Sequence, residues 1–356
     1  MSTSSKRETF EAAQSRSFAL EAELETHPDC FRMLTGDRPT GPLHIGHLFG
    51  TLLNRVRMQE LGVDVFVLVA DYQTITDRDL PDGLRADVLG LVADYLAVGI
   101  DPDRATIFAH SQVKALNQLM IPFLSLVSVA ELKRNPTVKE EFTASGGSAM
   151  NALLFTYPVH QAADILFCRA NVVPVGKDQL PHLELARLIA RRFNDRFSHQ
   201  RSFFPEPNAL LSHAPLVLGL DGTKMSKSRN NSITLVMDED ETARLIKTAK
   251  TDSHRRITFD PIHRPEVSNL LLITSLCTGE TPEVIADEVA DRGSGYLKAR
   301  LTEALNERLR PIRRRRREVS KDPVLLSTVL ARGSEQASAI ADQTLGQLRG
   351  LMNMSY

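Results

Sequence analysis

The residues best suited to chemistry stand in one short stretch, PLHIGHLFG, at residues 42–50. His44 and His47 are three residues apart, so on a helix they share one face, from which imidazole N–H groups can donate hydrogen bonds to phosphate oxygens. Gly46, between them, removes a side chain where a flat base or sugar can approach the backbone. Taken alone, a helix cap or a surface histidine pair explains the stretch equally well.

A second stretch, GTKMSKSRNN at residues 222–231, places two lysines in a loop rich in small residues. Lys224 and Lys227 flank Ser226, and two mobile ammonium groups at this spacing suit a pyrophosphate leaving group better than they suit a core. A solvated surface loop is the ordinary explanation for such a string by itself. The two stretches together predict phosphoryl chemistry on a nucleotide.

The elements around these stretches alternate between short apolar runs and helical patterns. In an open parallel sheet the ligand site lies beyond the carboxyl ends of the strands, so the segment that follows FRML is where a nucleotide is expected. The alternation predicts an α/β fold, a Rossmann-like parallel sheet with crossover helices. The predicted strands are FRMLTG, DVFVLVAD, ATIFAH, NVVPVG and APLVLG, and the main helices between them are HLFGTLLNRVRMQEL, LRADVLGLVADYLAVG and QLPHLELARLIARRF.

The same patterns divide the chain into three parts. Residues 1–29 form an N-terminal extension that contains a helix and acts either as an idle arm or as a lid. Residues 30–238 form the catalytic domain, interrupted by a helical insertion at about 112–168. Residues 239–356 are helical throughout and are expected to form a separate all-helical domain.

Composition restricts the class of protein further. There are 43 basic and 44 acidic residues, a net charge of −1, so any nucleic-acid partner must be met by a local basic patch. Cys30, Cys168 and Cys277 are far apart and include no CxxC pair, so neither a disulfide framework nor a metal site is predicted. The longest apolar run is far shorter than the ~20 residues that cross a bilayer. A cytoplasmic protein without membrane association is expected.

With both stretches in view, the chain resembles the class I aminoacyl-tRNA synthetases, whose two signatures are HIGH and KMSKS. The resemblance implies ATP and Mg²⁺, attack of an amino-acid carboxylate on the α-phosphate, an aminoacyl-adenylate, and transfer of the amino acid to tRNA. Catalysis in such a displacement is mainly positioning and charge stabilisation. The residues to which the resemblance assigns catalytic roles are His44, His47, Lys139 of NPTVKEE, Lys224, Ser226 and Lys227.

The block at residues 153–194 is similar to the tryptophanyl branch of this family, which implies L-tryptophan and tRNA(Trp) as substrates. By the resemblance Asp164 accepts the indole N–H, and Tyr157 and Gln179 bind the substrate ammonium group. A site built to hydrogen-bond an N–H penalises analogues that lack it. The implied tryptophan-binding residues are Leu34, Tyr157, Gln161, Asp164, Val173 and Gln179, and the implied ATP-binding residues are Arg38, Gly46, Val175, Gly176, Asp178 and Met225.

Three other functions compete with this interpretation. A tyrosyl enzyme of the same fold is disfavoured because tyrosyl enzymes tend to carry a tyrosine where this chain has Leu34. A small-molecule adenylyltransferase would not need the helical C-terminal part, and an inactive tryptophan-sensing paralogue would not keep both signatures. Departures from the common bacterial pattern indicate a divergent subtype; they are Arg38, His47, Gln73 and Gln161.

A basic segment supplies the local patch that the overall charge lacks. Residues 291–321 contain eleven Lys or Arg against four acidic residues, a net of +7, which suits an RNA backbone. Arg313 and Arg314, in the run of five arginines, are the predicted tRNA contacts, although a solvated helix with paired arginines is the plain alternative. By the resemblance the chain is also expected to form a homodimer through the helical insertion.

Overall fold

The computed structural model of the 356-residue chain describes eight ranges and one single residue. Nothing is stated about the residues between them, and side chains are described from residue 13 onward. The described residues are 10–76, 83–136, 138–139, 143, 151–176, 179–198, 202–211, 217–225 and 229–356.

The described residues contain a five-stranded sheet in which every neighbouring pair of strands is parallel. Its order, β3-β2-β1-β4-β5, places the first and fourth strands side by side at the centre, so the α/β prediction is confirmed. The chain runs outward in opposite directions from these two strands, and ligands in such sheets bind at their carboxyl ends. The strands are β1 (Arg32–Asp37), β2 (Asp64–Val69), β3 (Ala105–Ala109), β4 (Val172–Val175) and β5 (Asn208–Leu211).

Thirteen α-helices in the described ranges cover the sheet and extend beyond it, and none is long and apolar enough to cross a bilayer. The fourth is capped by Gly99, which adopts φ +115° and is the last residue of the predicted helix LRADVLGLVADYLAVG. The helices are α1 (Phe10–Thr26), α2 (Ile45–His47), α3 (Leu53–Leu61), α4 (Leu84–Val98), α5 (Lys114–Leu124), α6 (Val129–Arg134), α7 (Ala152–Leu166), α8 (Leu180–Phe197), α9 (Glu239–Thr248), α10 (Pro265–Thr278), α11 (Pro282–Val289), α12 (Ser294–Val319) and α13 (Pro323–Leu351).

The fifth strand differs from the prediction. It is formed by Asn208–Leu211, whereas the sequence pattern favoured APLVLG, at residues 214–219. Of that stretch the structure describes 217–219, where Leu218 makes only an isolated bridge with Lys224. The strand joins the sheet because Val172 and Val175 of β4 pair with it, a tertiary contact that a local apolar pattern does not report.

The two ends of the chain pack against the sheet. At the N-terminal end, Ser17 of α1 is fully buried and its hydroxyl accepts a 2.8 Å hydrogen bond from the Leu211 N–H of β5. At the C-terminal end, α13 crosses β3 so closely that a Cβ on Gly333 would lie 1.9 Å from the Ile107 carbonyl oxygen. The helical C-terminal part and the sheet therefore share one packed interior.

Candidate active site

The first signature begins a helix whose start is shaped by its own histidines. His44 is extended (φ −122°, ψ 171°), Ile45–His47 turn into α2, and Leu48–Leu52 continue in π geometry into α3. The His44 backbone N–H donates to His47 Nδ1 at 3.2 Å. Because Nδ1 is therefore the acceptor, the proton of the neutral His47 ring lies on Nε2, where it can be donated.

The first signature is paired with the chain that follows the second signature. The Ile45 N–H donates to the Ile233 carbonyl at 2.9 Å, and the Leu235 N–H donates to the Leu43 carbonyl at 2.8 Å. His44 and Thr234 form an antiparallel bridge between these two bonds. Two stretches that are far apart in sequence therefore lie side by side.

Gly46 makes the contact between the signatures possible. A Cβ at this position would lie 2.9 Å from the His44 ring and 3.2 Å from the sulfur of Met225, which is itself buried. In the direction of a side chain, the space at Gly46 is therefore occupied by protein atoms of both signatures. Any larger residue at 46 would push the signatures apart.

The second signature is carried on a tight turn. The Gly219 N–H donates to the Thr223 carbonyl at 2.7 Å, Leu218 bridges Lys224, and the Asn231 amide donates to the Lys224 carbonyl at 3.2 Å. The backbone of Lys224 is thus fixed while its side chain is exposed. Ser226 and Lys227 lie outside the described residues.

A buried ion pair closes the carboxyl end of β1. Asp37 Oδ2 accepts from the Arg55 guanidinium at 2.5 Å and from the Tyr95 hydroxyl at 2.8 Å. Burial alone would raise the pKa of Asp37, but the charge of Arg55 and the hydrogen bond that Arg55 donates hold this pKa at about 2. A negative charge therefore persists beside His47 throughout the neutral range.

The Asp37 ion pair predicts a specific acid sensitivity. Because the folded-state pKa lies below the ordinary 3.8, the pair stabilises the fold above that value, and the stabilisation is lost as the pH falls towards 2. Asp37→Asn should lower the free energy of unfolding at pH 7 by about 3 kcal/mol, since Arg55 keeps a buried charge without its partner. It should also remove about 1 kcal/mol of the wild-type decline between pH 5 and 3.

Urea unfolding followed by circular dichroism at several pH values measures both effects. Asp64→Asn is the matched control, because Asp64 pairs with Arg32 at 2.6 Å in a half-exposed position and should contribute less than about 1 kcal/mol. Equal losses in the two variants would contradict the assignment of a buried pair at Asp37.

The proposed indole acceptor is buried and already oriented. Asp164, on α7, is 1% exposed, and its Oδ1 lies 3.1 Å from His110 Nδ1. His110 Nε2 accepts the Tyr72 backbone N–H at 2.9 Å, so Nδ1 carries the proton and donates it to Asp164. Asp164 Oδ2 is buried and has no hydrogen-bond partner among the described residues. One carboxylate oxygen is thus held by the protein, and the other is presented to a ligand.

A second histidine completes this polar cluster. His160 Nε2 lies 2.7 Å from Asn117 Oδ1, while the Asn117 amide donates to the His110 carbonyl at 2.7 Å. Burial lowers the pKa of His160, so the ring is neutral and its proton lies on Nε2. One potential ligand atom from each of His110, His160 and Asp164 falls within 4.8 Å of the others, a spacing that a metal ion accepts. The hydrogen bonds to Tyr72 and Asn117 already orient both rings without one.

The other predicted tryptophan-binding residues lie on β1, β4 and α7 or directly before α8. Leu34 and Val173 are buried on adjacent strands, each one position beyond the paired residues Met33 and Val172, and form part of one apolar cluster with α7. The Tyr157 hydroxyl lies 3.1 Å from His182 Nε2, a contact that the sequence did not indicate. Gln161 and Gln179 are half-buried.

Three of the six predicted ATP-binding residues lie at the carboxyl ends of β1 and β4. Arg38 directly follows β1 and is half-buried, Val175 ends β4, and Gly176 follows it in an exposed position. Lys139 is exposed. Asp178 lies outside the described residues.

The five consecutive arginines at residues 313–317 do not all face the same partner. Arg313 is 4% exposed, and its guanidinium donates to the Thr242 hydroxyl at 2.6 Å and to Asn306 Oδ1 at 2.8 Å. A side chain in this position ties α12 to α9 and does not face an RNA backbone, so the sequence-based choice of Arg313 needs correction. Arg314, Arg315 and Arg317 are exposed.

Three functional candidates escaped the sequence analysis, and they share one signal. Asp37 ends β1, Asp71 follows β2 by two residues, and His110 follows β3 directly. Polar residues at the carboxyl ends of parallel strands meet at one edge of a sheet, so the strand predictions already contained this information. None of the three belongs to a signature, which is why motif reading did not select them.

Comparison with known proteins agrees with this geometry. Residues 27–310 match the family model of tRNA synthetases class I (W and Y). The tryptophan–tRNA ligase of Streptococcus pneumoniae is 40% identical over 342 residues, which cover 91% of this chain and 98% of that protein. The tryptophan–tRNA ligase of Clostridium longisporum is 39% identical over 333 residues, covering 91% and 97%.

A solved structure extends the similarity to the fold. The tryptophanyl-tRNA synthetase from Campylobacter jejuni, complexed with ADP and tryptophan, is 30% identical and superposes with a TM-score of 0.78, covering 90% of this chain and 99% of that one. The strand order, the paired signatures and these relatives lead to the same conclusion. The chain belongs to the class I tRNA synthetases of the W and Y type, in their tryptophanyl branch.

Proposed function

We propose that the chain activates L-tryptophan with ATP and transfers it to tRNA(Trp). The observation that carries the choice of amino acid is the buried Asp164 Oδ2, which is turned away from His110 and matches one indole N–H. The apolar Leu34 suits an indole ring and offers no group to a phenol hydroxyl. A phenylalanine in the same pocket would leave the carboxylate oxygen unsatisfied, at a cost of about 1–3 kcal/mol, whereas discrimination against tyrosine depends on Leu34.

The reaction needs little covalent work from the protein. The tryptophan carboxylate oxygen attacks the α-phosphorus of ATP, a bond forms between them, and the bond to the β-phosphate oxygen breaks to release pyrophosphate. His47, with its ring proton on Nε2, donates to phosphate oxygens, and Lys224 and Lys227 meet the charge of the leaving group. In the second step the aminoacyl-adenylate, a mixed anhydride, passes its acyl group to a ribose hydroxyl of tRNA: an ester bond forms, the bond between the acyl carbon and the phosphate oxygen breaks, and AMP leaves as the hydroxyl proton is released.

Mg²⁺ enters this account as part of the MgATP substrate. Asp37, a carboxylate close to the first signature, is engaged by Arg55 and Tyr95, so its oxygens are poor candidates for a resident ion. Mg²⁺ in nucleotide sites is commonly held by substrate phosphates and water. We therefore assign it no protein ligand. A homodimer, expected from the family, is part of the proposal and is tested by the mass of the protein in solution.

Tryptophan binding tests the proposed pocket directly. The chain contains no tryptophan, so indole emission under selective excitation reports only the ligand. A saturable change in emission that tyrosine does not reverse at equal concentration is the expected result. Displacement by tyrosine as readily as by tryptophan would contradict the role given to Leu34, because a phenol hydroxyl can also donate to Asp164.

The exposed face of α12 is the proposed contact for the tRNA backbone. Arg314→Ala with Arg317→Ala should weaken tRNA binding and reduce the slope of log K against log salt by up to about 2, one for each phosphate that is no longer neutralised. Tryptophan-dependent ATP–pyrophosphate exchange, measured without tRNA, should stay unchanged. Arg196→Ala, an exposed arginine at the end of α8, is the control. An unaltered salt series for the double variant would remove α12 from the RNA interface.

A further inference from the structure

One buried carboxylate outside both signatures has each oxygen committed to a different part of the chain. Asp94, on α4, is 0% exposed. Its Oδ2 accepts the Leu43 backbone N–H at 2.8 Å, and its Oδ1 accepts from Arg316 Nε at 2.7 Å. A buried carboxylate is costly to desolvate. We therefore interpret the one at this position as a group that fixes a specific geometry.

The first of these partners leads straight to the proposed ATP site. Leu43 immediately precedes His44, and its carbonyl accepts the Leu235 N–H. The peptide groups of Leu43 are therefore held on one side by α4 and on the other by the chain that follows the second signature. The direction in which the His44–His47 segment leaves the loop depends on both bonds.

The second partner comes from the arginine run. Arg316 is on α12, and its side chain is only 20% exposed, whereas Arg314, Arg315 and Arg317 face solvent. The Arg316 guanidinium passes close to Gly90 of α4, where a Cβ would make ordinary van der Waals contact with it at 3.8 Å. Arg316, like Arg313, therefore faces the protein interior, and it pairs with Asp94.

We propose that Asp94 and Arg316 are positioning residues for nucleotide activation: Arg316 orients the Asp94 carboxylate, and Asp94 holds the Leu43 N–H that aligns the His44–His47 segment with ATP. The inference rests on the proposed function, because it takes that segment as the ATP site. It makes the helix that carries the proposed RNA contacts a structural support of the adenylation site. Neither residue touches substrate, and the effect passes through the backbone at Leu43.

Steady-state exchange kinetics on Arg316→Ala separate positioning from mere stability. Loss of the guanidinium leaves Asp94 to turn or to find another donor, and small misplacements of a reacting group cost rate steeply. The KM for ATP should rise, and kcat should fall, by about tenfold or more. The Kd for tryptophan, followed by its fluorescence, should change less than about twofold. The reason is that the pocket residues Asp164 and Leu34 lie in another part of the fold.

Arg300→Ala is the matched control. Arg300 lies on the same helix, its side chain is 24% exposed, and it pairs with Glu280 at 2.9 Å, without a link to Leu43. The proposal predicts the ATP defect in Arg316→Ala alone. Equal ATP parameters in the two variants, or equal loss of ATP and tryptophan binding in Arg316→Ala, would overturn it.

Arg316→Lys keeps the test decisive if the alanine variant does not fold. The lysine retains a positive charge for Asp94 but lacks the planar guanidinium, so an intermediate rise in the KM for ATP is expected, with unchanged tryptophan binding. Wild-type ATP kinetics in this variant would overturn the proposal when the alanine variant is unfolded. Failure of the proposed function would be recognised separately, because the wild-type chain would then show no tryptophan-dependent exchange.

Discussion

Asp164→Asn should lower kcat/KM for tryptophan about 100-fold, the largest effect expected from a change that preserves side-chain shape. His110 Nδ1–H points at Oδ1, so the carbonyl oxygen of the new amide would turn towards His110. Its NH₂ group would then occupy the position of Oδ2 and face the indole N–H, donor against donor. Because the Tyr72 N–H fixes the tautomer of His110, the asparagine amide cannot reverse its orientation to present its oxygen to the indole.

An analogue with sulfur in place of the ring N–H provides the control for this prediction. The wild-type protein should discriminate strongly against it, and the asparagine variant should treat the two ligands almost alike. Exchange kinetics and fluorescence titration with both amino acids measure the effect, while the KM for ATP should stay near the wild-type value. An Asp164→Asn protein that still prefers the N–H ligand would show that another group recognises the indole.

Lys224→Ala should slow adenylate formation on the order of 10²–10³-fold while leaving tryptophan binding intact. The turn that carries Lys224 fixes its backbone, and Met225 beside it packs against Gly46 of the first signature. The ammonium group therefore acts at the phosphates, where charge grows as pyrophosphate departs.

Single-turnover formation of the adenylate measures this effect without interference from product release. Lys250→Ala is a matched control, because Lys250 is also exposed and pairs with Glu266 at 2.7 Å. It should leave the rate nearly unchanged. A parallel loss of ground-state ATP affinity and rate in Lys224→Ala would make that lysine a simple binding contact.

Much of the catalytic fold could be predicted from local patterns. The runs FRMLTG, DVFVLVAD and ATIFAH became β1, β2 and β3 because buried parallel strands are continuous apolar stretches bounded by turns. The strand β5 was placed in the wrong segment, since Asn208–Leu211 is short and is stabilised by pairing with β4 rather than by its composition. A single sequence does not report which of two neighbouring apolar stretches finds a partner.

The candidate site was likewise predictable from the sequence only in part. Both signatures were found from residue type and spacing, yet their contact through Ile45 and Ile233 depends on a chain reversal that spacing does not reveal. The arginine run shows the same limit. Composition predicted a charged RNA face, but Arg313 and Arg316 turn inward to Thr242 and Asp94, because helix packing decides which face of α12 meets the protein.

Amino-acid-dependent ATP–pyrophosphate exchange with tryptophan, tyrosine and phenylalanine in parallel tests the central claim most directly. Exchange with tryptophan, and with neither of the others at comparable concentration, is the predicted result, because phenylalanine has no donor for Asp164 Oδ2 and the apolar Leu34 offers no partner to a phenol hydroxyl. Exchange with tyrosine would contradict the role given to Asp164 and Leu34. Tryptophan binding without any exchange would mean that the paired signatures bind a nucleotide and do not activate an amino acid.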